Sequence, residues 1–93
     1  MEKNIFKPDS ELTFKSVVSV RAKLYNALMN NTKDSFCLDL SEVTHCDSAG
    51  LALIIEARKL CQQNNMAFEV TGVSSKTQSL AEFCGVKSIL QIS

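Results

Sequence analysis

The sequence predicts an α/β domain in which a four- to five-stranded mixed sheet carries three main helices packed against it. Segments with alternating apolar residues take turns with segments whose apolar residues recur three and four apart, in the order β-β-α-β-α-β-α-β. Helices placed between strands in this way imply crossover connections and a sheet that is at least partly parallel. The length, 93 residues, fits one domain spanning 1–93 and leaves no room for a second.

Asn4 to Phe6 and Glu11 to Ser16 are the first candidate strands. Pro8-Asp9-Ser10 between them is turn chemistry, so a hairpin is expected, with Leu12 and Phe14 on its half-buried face. From Ser16 or Val17 to about Asn30 the period changes: Val17, Val20, Leu24, Ala27 and Leu28 form the stripe of an amphipathic helix, which Asn30-Asn31-Thr32 ends. Ser35 to Ser41 reads as a strand with Phe36, Leu38 and Leu40 on one face. Asp47 or Ser48 opens a second helix that runs to about Asn64, and Ala67 to Val73 is the next strand. Gly72, near its end, marks a turn or a close approach. Ser74 or Ser75 caps a third helix carrying Leu80, Phe83 and Cys84, with Gly85 suited to its C-terminal cap. Ser88 to Ile92 is a candidate last strand.

Composition excludes several function classes. Lys plus Arg and Asp plus Glu balance at ten each, whereas a nucleic-acid groove or an anionic membrane surface needs excess positive charge. No apolar run approaches the roughly 20 residues of a membrane helix, and Met1-Glu2-Lys3-Asn4 is not followed by the apolar core of a signal peptide. The expected address is cytoplasmic, without direct membrane insertion; any link to the inner membrane would run through a partner complex. The cysteines at 37, 46, 61 and 84 form no C-x-x-C pair. Cys37, Cys61 and Cys84 lie among apolar residues and read as small buried hydrophobes.

An enzyme is not expected. The one histidine, His45, adjoins Cys46, but adjacency in sequence does not make a nucleophile–base pair. There is no Gly-rich phosphate loop. Asp39, Glu42 and Asp47 do not read as a carboxylate cluster, because Asp39 alternates with inward residues and Glu42 reads as solvated. No catalytic residue, metal site or cofactor is therefore assigned.

The informative stretch leads from a buried strand through the loop Thr44-His45-Cys46 into Asp47-Ser48-Ala49-Gly50 at a helix start. Asp47 suits the N-cap. Ser48 falls in the first turn, where free N–H groups and the helix dipole favour negative charge. Ala49 and Gly50 have little or no side chain, so another protein could approach the backbone closely. At 100° per residue, Gly50, Leu53, Ile54, Ala57, Leu60 and Cys61 share one side, enough to face a sheet. Leu51, Ala52 and Ile55 fall outside that stripe, on the side of Ser48 and Lys59. Either the first or third helix covers them, or they form a docking patch around Ser48, with Thr44 and His45 at its rim.

On these residues the chain resembles the STAS domain family, whose hallmark is strand, loop, Asp-Ser-x-Gly-Leu and helix; the likeness runs from Phe36 to about Cys84. Leu38-Asp39-Leu40-Ser41-Glu42-Val43, the run from Asp47 to Ile55 and Val70-Thr71-Gly72-Val73 are most similar to the small STAS subunits (MlaB-type) of Mla phospholipid ABC transporters. The resemblance implies a non-enzymatic subunit that docks on the transporter's ATPase subunit and supports lipid transport, with Ser48 at the contact. Within the same family it is also similar to anti-sigma-factor antagonists, where the residue matching Ser48 is phosphorylated by a partner kinase; the partner would then be an anti-sigma factor. The Gly-x-Leu-Asp turn common before the first helix is absent, and Lys15-Ser16-Val17-Val18 stands there.

Overall fold

In a computed structural model, described over residues 4–31, 34–86 and 88, the chain runs β1 (Asn4–Phe6), β2 (Ser10–Leu12), α1 (Val17–Met29), β3 (Ser35–Asp39), β4 (Val43–Cys46), α2 (Ser48–Gln63), β5 (Ala67–Thr71) and α3 (Ser75–Phe83). The α/β class with five strands and three helices is the one the residue pattern predicts. The strand expected over 88–92 lies, but for Ser88, outside the described residues.

The five strands divide between two sheets, ordered β1-β3-β5 and β2-β4. All three pairings among the described residues are parallel. The hairpin expected between the first two strands does not form. The chain does turn sharply at Pro8-Asp9-Ser10, where Ser10 takes a positive φ of 40° and the Glu11 N–H donates to the Asp9 carbonyl at 2.6 Å. It then delivers β1 and β2 to different partners, β3 and β4. Local turn chemistry thus fixes the change of direction, while long-range pairing decides the neighbour.

Parallel strands connected through helices bury their inner row. Phe6, Leu38 and Val70 align across the first sheet, and Leu38 and Val70 are buried. They join one core with Leu12 from β2, Leu24 and Leu28 from α1, and Ile54, Ala57 and Cys61 from α2. Each large aliphatic side chain in it contributes about 1.5–3 kcal/mol. At the end of β5, Gly72 sits at φ +71°, and a Cβ there would lie 2.6 Å from the Ser41 backbone nitrogen. This is the close approach that a glycine near a strand end suggests, and it packs the β5 exit against the turn after β3.

Three local expectations are corrected. Phe14 lies beyond β2 in the Thr13–Ser16 turn and is 69% exposed rather than half-buried. That turn is closed from within, since the Ser16 and Val17 N–H groups both donate to the Thr13 carbonyl, at 2.9 and 2.8 Å. Cys84 is exposed at the end of α3, beside an exposed Phe83, whereas Cys37 and Cys61 are buried as their neighbours suggest. Val43–Cys46 is a strand and not a loop, paired with β2 through Glu11↔His45 and Leu12↔Cys46.

Candidate functional site: the start of the second helix

Asp47 is the geometric centre of the site. Its Oδ1 accepts from the Ala49 and Gly50 backbone N–H groups at 2.9 and 3.1 Å, an N-cap that satisfies two otherwise orphan donors. Its Oδ2 accepts from the Phe14 N–H at 3.0 Å, and its own N–H donates to the Leu12 carbonyl at 3.3 Å. One carboxylate therefore pins the turn before α1 to the start of α2. Sequence spacing identifies the cap but contains no sign of the second tie, because Phe14 is 33 residues away.

Burial alone would raise the Asp47 carboxyl, but hydrogen bonds from the backbone N–H groups of Phe14, Gly50 and Ala49 hold it below the usual carboxylate value. A depressed folded-state value contributes stability that is fully present above the unfolded value of about 4 and is lost as pH falls through the folded one. Asp47→Ala is expected to cost about 1 kcal/mol or more at neutral pH through the lost cap alone. Urea unfolding at pH 7 and pH 3 checks this, and the difference from the parent protein should shrink at the lower pH.

Ser48 follows the cap and is exposed. The free N–H groups expected around it are not all free, since Asp47 already occupies those of Ala49 and Gly50. Gly50 is buried, and its smallness serves the chain itself: a Cβ there would lie 2.1 Å from the Leu12 carbonyl oxygen and 3.0 Å from Cys46 Sγ. It therefore does not open the backbone to a partner. Leu51 is 2% exposed within the core, and Ile55 is half-buried against it. Leu51 is covered within the fold and Ile55 packs against the core, so neither is the spare aliphatic group that a docking patch on them requires. Ala49 is half-buried and Ala52 exposed.

Apolar surface beside Ser48 comes instead from the preceding segment, where Phe14 and Val18 are 69% and 78% exposed. A cleft of about 250 Å³ lies there, walled by Val17, Val18 and Arg21 of α1 and by Ala49, Ala52 and Glu56 of α2. Glu56 bridges the two helices, accepting from Arg21 Nη2 at 3.1 Å and from the Tyr25 hydroxyl at 3.1 Å. Phe14 and these α1 residues escape a reading of the sequence centred on the Asp-Ser motif, because their exposure is not legible in the residue pattern.

Thr44 and His45 are exposed on β4. The Thr44 hydroxyl donates to the Ser10 carbonyl at 2.9 Å and lies 3.1 Å from His45 Nδ1. Burial, and then the neighbouring Asp47 carboxylate, pushes the Cys46 thiol up to about 11. A thiol that weakly acidic is a packing group rather than a nucleophile. Asp39 accepts from the Ser41 N–H at 2.9 Å and meets Lys7 at 3.8 Å. Among the described residues no group of three or more His, Cys, Asp or Glu side chains could hold a metal ion, and no helix is long and apolar enough to cross a membrane.

A parallel α/β fold with an Asp-capped helix presenting an exposed serine defines the class. The chain belongs to the STAS domain family, whose model matches residues 2–93, including the N-terminal third, where the motif resemblance is poor. It is 28% identical over 86 residues to the anti-sigma-B factor antagonist of Staphylococcus aureus, covering 92% of this chain and 79% of that protein. Its fold is similar to that of the anti-sigma factor antagonist SpoIIAA in its unphosphorylated form, with a TM-score of 0.76 at 16% identity over 99% of this chain and 80% of that one. It is equally similar, at TM-score 0.76 and 19% identity, to a sulfate transporter family protein from Wolinella succinogenes, over 96% of this chain and 71% of that one.

Proposed function

We propose that this protein is an anti-sigma-factor antagonist: a binding module, without chemistry of its own, whose docking on an anti-sigma factor is switched by phosphorylation of Ser48. The observation that carries the reading is Ser48 itself, an exposed hydroxyl on a helix start that Asp47 anchors at two places. A rigid, accessible serine suits both a kinase that must reach it and a partner that must sense its charge. The similarity to an anti-sigma-B factor antagonist favours this partner over the ATPase subunit of a phospholipid transporter. The docking face is Ser48 with Phe14, Val18 and Ala52, rather than Leu51 and Ile55.

A phosphate adds about −1.5 to −2 charges to this face, so the unmodified form is the one that binds. The test is incubation with the anti-sigma kinase from the same genome and ATP, read by intact mass. The parent protein gains one phosphate and Ser48→Ala gains none. Modification elsewhere, or copurification from cells with a transport ATPase in place of an anti-sigma factor, overturns the reading.

A further inference from the structure

A phosphate on Ser48 faces an electrostatic problem that the cap creates. The Ala49 and Gly50 N–H groups, which would ordinarily receive an anion at a helix start, already donate to Asp47. The Asp47 carboxyl is ionised at neutral pH and repels a second anion beside it. Beyond water, any favourable partner for the phosphate must therefore be a cation from elsewhere in the chain.

Two cations stand near this end of α2, Lys15 in the turn before α1 and Arg21 on the cleft wall, whereas Lys59 shares the exposed face of α2 about three turns further on. Arg21 is the best placed. Helices α1 and α2 both leave the C-terminal ends of parallel strands and so run alongside each other in the same direction. Arg21 lines the same cleft as Ala49 and Ala52, the residues one and four positions after Ser48. Those two positions carry only methyl groups and adjoin the helix start that bears Ser48. On the cleft side the other charged group is Glu56, the present partner of Arg21.

Leaving Glu56 costs Arg21 an exposed ion pair and its position over the Tyr25 ring, 5.4 Å from the centroid. The side chains of Arg21 and Glu56 are 53% and 43% exposed, and exposed pairs contribute little. Glu56 would keep its hydrogen bond from the Tyr25 hydroxyl. A phosphate dianion offers the planar guanidinium a bidentate, charge-assisted contact that a single carboxylate oxygen does not.

We propose that Arg21 is the intramolecular counter-ion of phosphorylated Ser48, leaving Glu56 for the phosphate when the site is modified. The exchange draws Arg21 over the mouth of the cleft between α1 and α2, so modification changes the shape of the docking face as well as its charge. This rests on Ser48 being the modified residue, and the test separates the two questions by installing phosphoserine at position 48 during translation, with no kinase involved.

The phosphate's second ionisation is followed by ³¹P NMR against pH in the full chain. Its midpoint should lie about one pH unit lower in the parent protein than in Arg21→Gln, the scale of an opposite charge at close range. Arg21→Lys should recover part of the difference, and Lys15→Gln and Lys59→Gln should leave the midpoint unchanged. The same midpoint in parent and Arg21→Gln proteins, or a larger shift from either lysine variant, overturns the proposal. Should the cognate kinase fail to modify Ser48, the functional reading falls, while the ³¹P result still decides the role of Arg21.

Discussion

Gly50→Ala should destabilise the fold severely. The added methyl group would have to occupy a point 2.1 Å from the Leu12 carbonyl oxygen and 3.0 Å from both the Leu12 carbonyl carbon and Cys46 Sγ. The first obstacle is backbone, and it is held in place, because the same carbonyl accepts the Asp47 N–H. It cannot rotate aside as a flexible side chain would. Relief requires moving α2 away from the end of β2, which breaks the Asp47–Leu12 and Asp47–Phe14 ties together. Overpacking commonly costs about 1–3 kcal/mol, and a rigid backbone obstacle places this substitution at about 3 kcal/mol or above. For a domain whose total stability is about 5–15 kcal/mol, the urea midpoint should fall sharply. A midpoint within error of the parent value would show that the helix start is not seated on Leu12 as described.

Leu51→Asp should be comparably severe, and for a different reason. Leu51 is 2% exposed among the core residues. Removing its side chain would cost about 2–5 kcal/mol on the scale of buried leucines, and a carboxyl group put in its place has no partner there, which adds desolvation. Loss of the cooperative thermal transition is the expected readout. The contrast is Ala52→Asp, one position on and exposed, which should fold normally and lose binding to the anti-sigma factor. Adjacent residues on one helix thus separate folding from docking, and loss of binding by a folded Leu51→Asp protein would reverse the assignment of these two positions.

Helices were the most legible part of this fold, and their ends the most legible part of the helices. Asp47 and Ser74 announce the starts of α2 and α3, and both cap as their side chains suggest, Ser74 Oγ accepting from the Thr77 N–H at 3.2 Å. Apolar spacing three and four apart bounds α1 and α2 to within a residue or so. Strands were harder, for a physical reason. β1 and β2 have three residues each, too few to show a period. β4 carries polar Thr44 and His45 between Val43 and Cys46 and exists because β2 pairs with it from more than 30 positions away. Partners that distant leave no mark on local composition.

The site divides in the same way. The Asp-Ser-x-Gly signature placed the cap and the exposed serine correctly, because both follow from local backbone chemistry. It misled about Leu51 and Ile55, since a helical wheel assumes one buried face. The buried arc here is wider than a single sheet would demand, extending from Leu53 through Gly50 and Ile54 to Leu51. Phe14 reaches the site through its tie to Asp47, and Val18 and Arg21 through the packing of α1 beside α2, contacts no motif encodes.

The central claim is that Ser48 stands on a rigid docking face where charge controls binding without disturbing the fold. Calorimetric titration of the cognate anti-sigma factor into the parent and Ser48→Glu proteins, beside thermal unfolding of both, tests it most directly. Binding by Ser48→Glu should be lost while its unfolding midpoint moves by less than about 4 °C, the shift that 1 kcal/mol produces in a domain of this size. Undiminished affinity in Ser48→Glu, or unfolding of the domain by that one exposed substitution, would contradict the account.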